Sequence, residues 1–289
     1  MDITLARTFH AIVEVGNFKD AAAKLCVTQS TVSARIKTLE DILGRTLFER
    51  SKAGATLTPA GEQFQRHATA LLRVWRHAQL DVALSEHHTD HLAVGAQLSL
   101  WEGFLLKWIA WMREANSHIA VSTSVGSSGA LIERLSEGTL DLAIVYRAQI
   151  RAGIVIEHIL DEELVLVSSM DGAARKPGRG YVFVNWGPEF EADHADTYPE
   201  LASSGLHLDL GAIGVSYLFD TKAAGYFPLR IAEPYLTDGR LKIVERARRF
   251  VYPVYLAYPE DRDEESYEPL LAGLRRLVDK TPVLHKPIE

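Results

Sequence analysis

A single cysteine, Cys26, occurs in 289 residues. That scarcity excludes an intramolecular disulfide, a cysteine-rich zinc site and an iron–sulfur cluster, and it fits a reducing compartment. Long apolar runs are missing too: the most apolar stretch, Phe104 to Met112, is short and broken by Lys107. Neither a membrane span nor an export leader is supported, and the expectation is a soluble chain in the cytoplasm with no membrane partner. The sequence contains no Gly-x-Ser-x-Gly, no His-Glu-x-x-His and no Walker-type phosphate loop. Those routes to hydrolysis, metal-assisted proteolysis and nucleotide binding therefore have no motif to stand on. Gly126-Ser127-Ser128-Gly129 is rich in Gly and Ser but lacks the Lys of such a loop.

The remainder is ordinary globular material, with 47% hydrophobic and 24% charged residues and a mean hydropathy of −0.02. At this length two or three domains are expected, each with its own core. The net charge of −7 speaks against a nucleic-acid partner only until it is divided along the chain. Residues 1–91 hold 11 Lys and Arg against 10 Asp and Glu, whereas the rest holds 20 against 28. Arg35, Lys37, Arg45, Arg50 and Lys52 lie close together in the near-neutral part, so a small basic face is available there.

Leu5, Phe9, Ile12 and Val13 keep helical spacing up to a stop at Gly16. A short helix from Phe18 to Leu25 follows, and Thr28 is placed to cap a third helix with Val32, Ile36, Leu39 and Leu43 on its apolar side and Gly44 at its end. Leu47–Arg50 and Ala55–Thr58 flank a turn signal at Ser51–Gly54, as in a hairpin. Thr58 before Pro59 opens a long helix reaching Ser85 or His87. Along it Phe64, Ala68, Leu71, Trp75, Ala78 and Val82 form an a/d seam that asks for a partner helix; packing on its own domain is the alternative. From His91 onward strand-like and helix-like segments alternate, which argues for an α/β domain with a largely parallel sheet. The long segment Leu100–Glu114 reads as one helix and Ile213–Ala224 as another.

On a wheel of about 100° per residue, Ser30, Ser33, Ala34 and Lys37 project away from Val32. Small and hydroxylic residues with one Lys can enter a major groove without bulk, and Gln29 at the helix start can read adenine bidentately; a merely solvated face fits that pattern equally well. The wider context decides. Phe18–Leu25, then Thr28-Gln29-Ser30-Thr31-Val32-Ser33, Ile36–Glu40, Leu43-Gly44, Leu47-Phe48-Glu49-Arg50 and Leu57–Gly61 resemble the winged helix-turn-helix of LysR-type transcriptional regulators.

The resemblance implies that Gln29, Ser30 and Ser33 meet base edges or adjacent phosphates, that Thr28 caps the helix and touches a phosphate with Thr31 beside it, and that Lys37, Arg50 and Lys52 add backbone or groove contacts. Where many members carry Arg directly after the serine, this chain has Ala34 followed by Arg35. Arg35 then lies toward the flank and is expected to reach phosphate, with Ala34 set against a thymine methyl.

The remainder resembles the family's periplasmic-binding-protein-like receptor. The implied plan is a DNA reader at 1–58, a linker and dimerisation helix with hinge at 59–90, and an effector-binding domain at 91–289. Its subdomain I comprises about 92–161 and 259–289, and subdomain II about 162–258. By family position Ser99, Leu100, Trp101, Ser127, Ser128, Tyr146, Arg147 and Trp186 face the cleft between them. An anionic or aromatic small molecule would suit such a lining, with Arg147 as countercharge or, equally, as half of a surface ion pair. Ser99–Glu102 and Asn185–Phe190 are similar to a subgroup of enterobacterial LysR-type proteins linked to the flagellar master operon. Ala224-Gly225-Tyr226-Phe227-Pro228 departs from the family's Gly-x-Gly run, and its rings would narrow the pocket.

His87-His88-Thr89-Asp90-His91 offers metal ligands, but a polar hinge explains it more simply, and no metal or other cofactor is expected. The reading is a non-enzymatic regulator acting on a double-stranded operator, as a homodimer or homotetramer, with RNA polymerase as a further partner. The alternative is a small-molecule-binding or catalytic α/β protein whose helix-turn-helix serves assembly only.

Overall fold

The computed structural model describes residues 2–51, 54–83, 88–170, 180–201, 205–262 and 264–280. Asp2 accepts the Thr4 N–H at 2.9 Å and starts α1 (Ile3–Val15). Asn17 caps α2 (Phe18–Lys24), and Thr28 caps α3 (Gln29–Leu43), which ends on Gly44 in the left-handed region at φ 64°. Strands β1 (Phe48–Ser51) and β2 (Gly54–Leu57) pair antiparallel as a wing, and Pro59 then opens α4 (Pro59–Ala83), about 38 Å long at the α-helical rise.

Phe9 is the centre of the first core, its ring 5.0 Å from both Phe48 and Phe64. Val32, Ile36 and Leu39 are fully buried in it. Leu43, expected beside them, is exposed, because it sits at the last residue of α3, where the helix has run past the domain it packs on. Phe64 and Ala68 join this core, so the first turns of α4 cover their own domain, while Leu71, Val74, Trp75, Ala78 and Val82 remain exposed.

The second half is built on one seven-stranded sheet ordered β10-β6-β11-β5-β3-β4, with β9 paired to β6. Its strands are β3 (Asp90–Ala96), β4 (Ile119–Val125), β5 (Leu142–Tyr146), β6 (Ile154–Ser168), β9 (Ala224–Pro228), β10 (Lys242–Ile243) and β11 (Phe250–Pro259). In β5, Leu142, Ile144 and Tyr146 enter one core and Ala143 and Val145 the other, which is why the strand is apolar throughout. The sheet is mixed, not largely parallel. Only β3 pairs parallel with β4 and β5, because β6 and β11 carry the chain out to the second lobe and back, antiparallel to one another.

The first lobe adds α5 (Leu98–Leu100), α6 (Leu106–Ala115), α7 (Ser128–Ser136) and the last helix; the second adds β7 (Phe183–Val184), α8 (Pro188–Thr197), β8 (His207–Leu208), α9 (Val215–Thr221) and α10 (Leu229–Thr237). The last helix, α11 (Glu264–Lys280), covers α6, with Trp108 Nε1 donating to Leu270 O at 3.1 Å. The predicted helix over 100–114 is broken: Gly103 has φ 70° and Glu102 has ψ 131°, dividing it into α5, a wide turn and α6. The predicted helix over 213–224 stops at Thr221, and Ala224 begins a strand, since Lys222 takes a left-handed conformation. Among the described residues no helix is long and apolar enough to cross a membrane.

Candidate functional site

Two regions concentrate polar chemistry: the outer face of α3, and the cleft where the two lobes meet. At the start of α3, Thr28 Oγ1 accepts the Thr31 N–H at 3.2 Å and lies 2.8 Å from both Ser30 Oγ and Thr31 Oγ1. This ties the first turn down and leaves its remaining backbone N–H groups directed outward, the usual setting for a phosphate. Gln29, Ser30, Ala34 and Lys37 are exposed, with Thr31 and Ser33 half-buried beside them.

Arg50 comes from the wing: its guanidinium lies 3.7 Å from the centre of the Phe18 ring and its Nη1 donates to Ser33 Oγ at 3.4 Å. A cation is thereby stacked at the edge of the reading helix at low entropic cost. Arg35 leans back toward α1, with Nη1 3.4 Å from Thr8 Oγ1. Lys52 and His87 lie outside the described residues.

The reader also touches the receptor. His10 Nε2 lies 3.1 Å from Ser136 O, and burial holds its imidazole below the ordinary value. Lys24 pairs with Glu14 and, at 3.3 Å, with Glu137. Among the described residues the acids that converge to metal-binding distance are Glu14, Glu133 and Glu137, with the Lys24 ammonium already among them, and not the His88–His91 segment. On α4, Arg73 Nη1 donates to Asp261 Oδ1 at 2.6 Å.

Of the residues expected to face the cleft, Ser99, Leu100, Trp101, Tyr146 and Trp186 are all buried, whereas Ser127 and Arg147 are exposed and Ser128 half-buried. Trp186 Nε1 donates to Tyr226 O at 2.8 Å, and Tyr252 donates to Trp186 O. Burial pushes the Tyr252 phenol up to about 12. Tyr226 and Phe227 are fully buried in the second lobe, Tyr226 among Tyr181, Phe190 and Phe250 and Phe227 against Trp186. Trp101 Nε1, by contrast, is buried with no acceptor among the described residues. At the mouth Ser128 Oγ donates to Arg147 O at 3.2 Å, and the Arg147 side chain reaches across to Glu189 of the second lobe at 3.6 Å.

Two residues that the sequence pattern did not single out occupy the centre. Arg230 Nε donates to Glu162 Oε1 at 2.6 Å, and Tyr146 Oη donates to Glu162 Oε2 at 2.5 Å. Burial, and secondly the Glu162 charge, hold the Tyr146 phenol far above its ordinary value. Burial opposes the charge on Arg230, yet the carboxylate beside it more than compensates and the guanidinium is held more firmly protonated. The available signal was a lone charge in Phe227-Pro228-Leu229-Arg230-Ile231-Ala232.

Residues 3–62 match the bacterial regulatory helix-turn-helix protein family of lysR type, and residues 85–182 the LysR substrate binding domain. The chain is 31% identical over 227 residues to the HTH-type transcriptional regulator HdfR of Yersinia enterocolitica serotype O:8 / biotype 1B, an alignment covering 72% of this chain and 76% of that protein. It is 39% identical over 144 residues to HdfR of Yersinia pestis (strain Pestoides F), covering 50% of this chain and 49% of that one. Among solved structures, ArgP from Mycobacterium tuberculosis superposes with a TM-score of 0.60 at 18% identity, over 99% of this chain and 100% of ArgP. A full-length OxyR variant from Pseudomonas aeruginosa gives 0.58 at 20% identity, over 96% and 95%. The shared fold, the reading helix with its wing and the two-lobed domain behind them agree with the sequence relationship: the chain belongs to the LysR family, as a DNA-binding transcriptional regulator with an effector domain and not as an enzyme.

Proposed function

We propose that this regulator reads its operator with the N-terminal half of α3. Gln29, Ser30, Ser33 and Ala34 meet base edges, Thr28, Thr31, Arg35 and Lys37 meet phosphate, and Arg50 and Lys52 of the wing lie along the backbone or minor groove. The observation that carries this reading is the outward face of Gln29, Ser30, Ala34 and Lys37, flanked by Arg50 stacked on Phe18. Sequence specificity needs such short polar groups at base edges, while the cations supply the affinity. The division into a reader at 1–58, a linker at 59–90 and a receptor at 91–289 belongs to the same proposal, although Phe64 and Ala68 pack with the reader.

The exposed row Leu71, Trp75, Ala78 and Val82 supports pairing of α4 with a second copy, Phe64 and Ala68 anchoring each helix to its reader. Pairing doubles the reading helix and sets two half-sites on one face of the duplex. In the receptor, a small effector is sensed at the inter-lobe cleft by Ser99, Leu100, Trp101, Ser127, Ser128, Tyr146, Arg147 and Trp186. The buried, unpartnered Trp101 N–H supports an effector bearing an acceptor oxygen. RNA polymerase is the further partner and the cytoplasm the compartment.

The test is to recover preferred duplexes by selection from a randomised pool and to measure their affinity. Gln29→Ala with Arg50→Ala is expected to lose most of it; full affinity in that variant would sink the assignment. Ala34→Arg is expected to change the selected sequence, and an unchanged one would remove Ala34 from the base-reading set.

A further inference from the structure

Arg230 stands where a cation is least expected. It lies in the first turn of α10, at the positive end of the helix dipole, and only 6% of its surface is exposed. Burying a guanidinium there is unfavourable unless every part of it meets an acceptor. Three acceptors are supplied: Nε donates to Glu162 Oε1 at 2.6 Å, Nη2 to Ser99 O at 2.9 Å, and Nη1 to Glu102 O.

These acceptors come from different parts of the receptor. Ser99 and Glu102 belong to the first lobe, Glu162 to the crossover strand β6, and Arg230 to the second lobe. The broken helix makes this possible. At Glu102 the chain leaves helical geometry and turns its carbonyl away from the helix, and Gly103 supplies the left-handed φ of 70° that the break requires, with the Arg230 stem lying beside it. Tyr146 secures the far side, donating to Glu162 Oε2 at 2.5 Å and lying 3.1 Å from Ser99 Oγ. Ser99, Tyr146, Glu162 and Arg230 are each more than nine-tenths buried. One carboxylate and two carbonyls, each meeting a different nitrogen of Arg230, suit a guanidinium's fork of donors better than a compact ammonium.

We propose that the inter-lobe cleft contains a guanidinium-binding site and that Arg230 is its tethered occupant, clamping the lobes shut in the absence of an added effector. The proposal rests on the reading of this cleft as the regulatory site. A molecule entering the same place must then displace Arg230, so regulation is a competition with a residue of the chain itself.

The test uses the full-length protein carrying Arg230→Ala, with methylguanidinium chloride as probe and urea and sodium chloride as controls. Arg230→Ala is expected to lower Tm by on the order of 10 °C. Millimolar methylguanidinium, but neither control, should restore part of that loss saturably while leaving the wild type unmoved. Should Arg230→Ala not fold, Arg230→Met retains the stem packing on Gly103 and takes its place. Adding Glu162→Gln to either variant removes the carboxylate and is expected to abolish the rescue. Absence of saturable rescue overturns the site. Rescue of Tm with operator affinity unchanged leaves the site standing and overturns the regulatory reading of the cleft.

Discussion

The reader and the receptor handle polarity in opposite ways. Among the described residues, the first core buries one polar side chain, Thr8, whereas the receptor buries Ser99, Asp141, Asp161, Glu162, Ser168, His194 and Arg230. The reader keeps Thr28, Ser30, Lys37 and Arg50 on the surface, where a polyanion can meet them, and is held by an apolar core centred on Phe9, Phe48 and Phe64. The receptor turns charge inward, where each group needs a partner and two lobes can be joined or parted by exchanging one. The two arrangements sit in one chain: a surface already formed for its target, and an interior in which polar contacts join two lobes.

The sharpest way to break this contrast is to remove one polar partner from the receptor. Glu162→Ala leaves Arg230 buried and unpaired, and a loss of about 3–5 kcal/mol is expected in denaturant unfolding. A loss below about 1 kcal/mol would mean that water already reaches the pair. Phe9→Ala should cost the reader about 3–5 kcal/mol through its cavity, measured in denaturant unfolding. Gln29→Ala should leave Tm where it is and reduce discrimination between operator and mismatched duplexes by about 1–3 kcal/mol, read by competition binding.

A buried histidine gives the receptor a pH dependence of its own. His194 is buried against Tyr181, whose Oη lies 2.8 Å from its Nε2, and burial holds its pKa below the ordinary 6.5. Below 6.5 the unfolded chain therefore takes up a proton that the native one resists. The receptor's stability is full above that pH and falls progressively as the pH drops toward the lowered value. His194→Phe should flatten this slope, measured as Tm against pH. The smallest effect is expected at Cys26, which holds a left-handed φ of 54° in the turn between α2 and α3. Cys26→Gly should stabilise the reader by up to about 1 kcal/mol, the relieved strain exceeding the added chain entropy.

Local rules made the reader legible. Each of its helices is bounded by residues whose chemistry acts within four positions: Asp2 and Gly16, Asn17, Thr28 and Gly44. Even so, Leu43 escaped burial, because periodicity marks a face and not where the neighbouring domain ends. The receptor was legible where strands are apolar on both faces, as in β5, and illegible where function places charge in a strand. In the first half of β6, Glu157, His158, Asp161 and Glu162 interrupt the apolar pattern, so no local rule marks the strand there. Family position supplied the residues expected at the cleft, but neither Arg230 nor Glu162. Arg230 and Glu162 lie 68 residues apart and meet only when the second lobe folds back across β6.

In the proposed function a protein of net charge −7 binds DNA through a few placed cations on α3 and the wing, doubled by the linker helix. Its most direct test is operator affinity measured across a salt series. Several phosphate contacts per copy predict a steep linear fall of log affinity with log salt, shallower by about 1 per copy in Arg50→Ala. A flat salt dependence, or one that Arg50→Ala leaves unchanged, would contradict it.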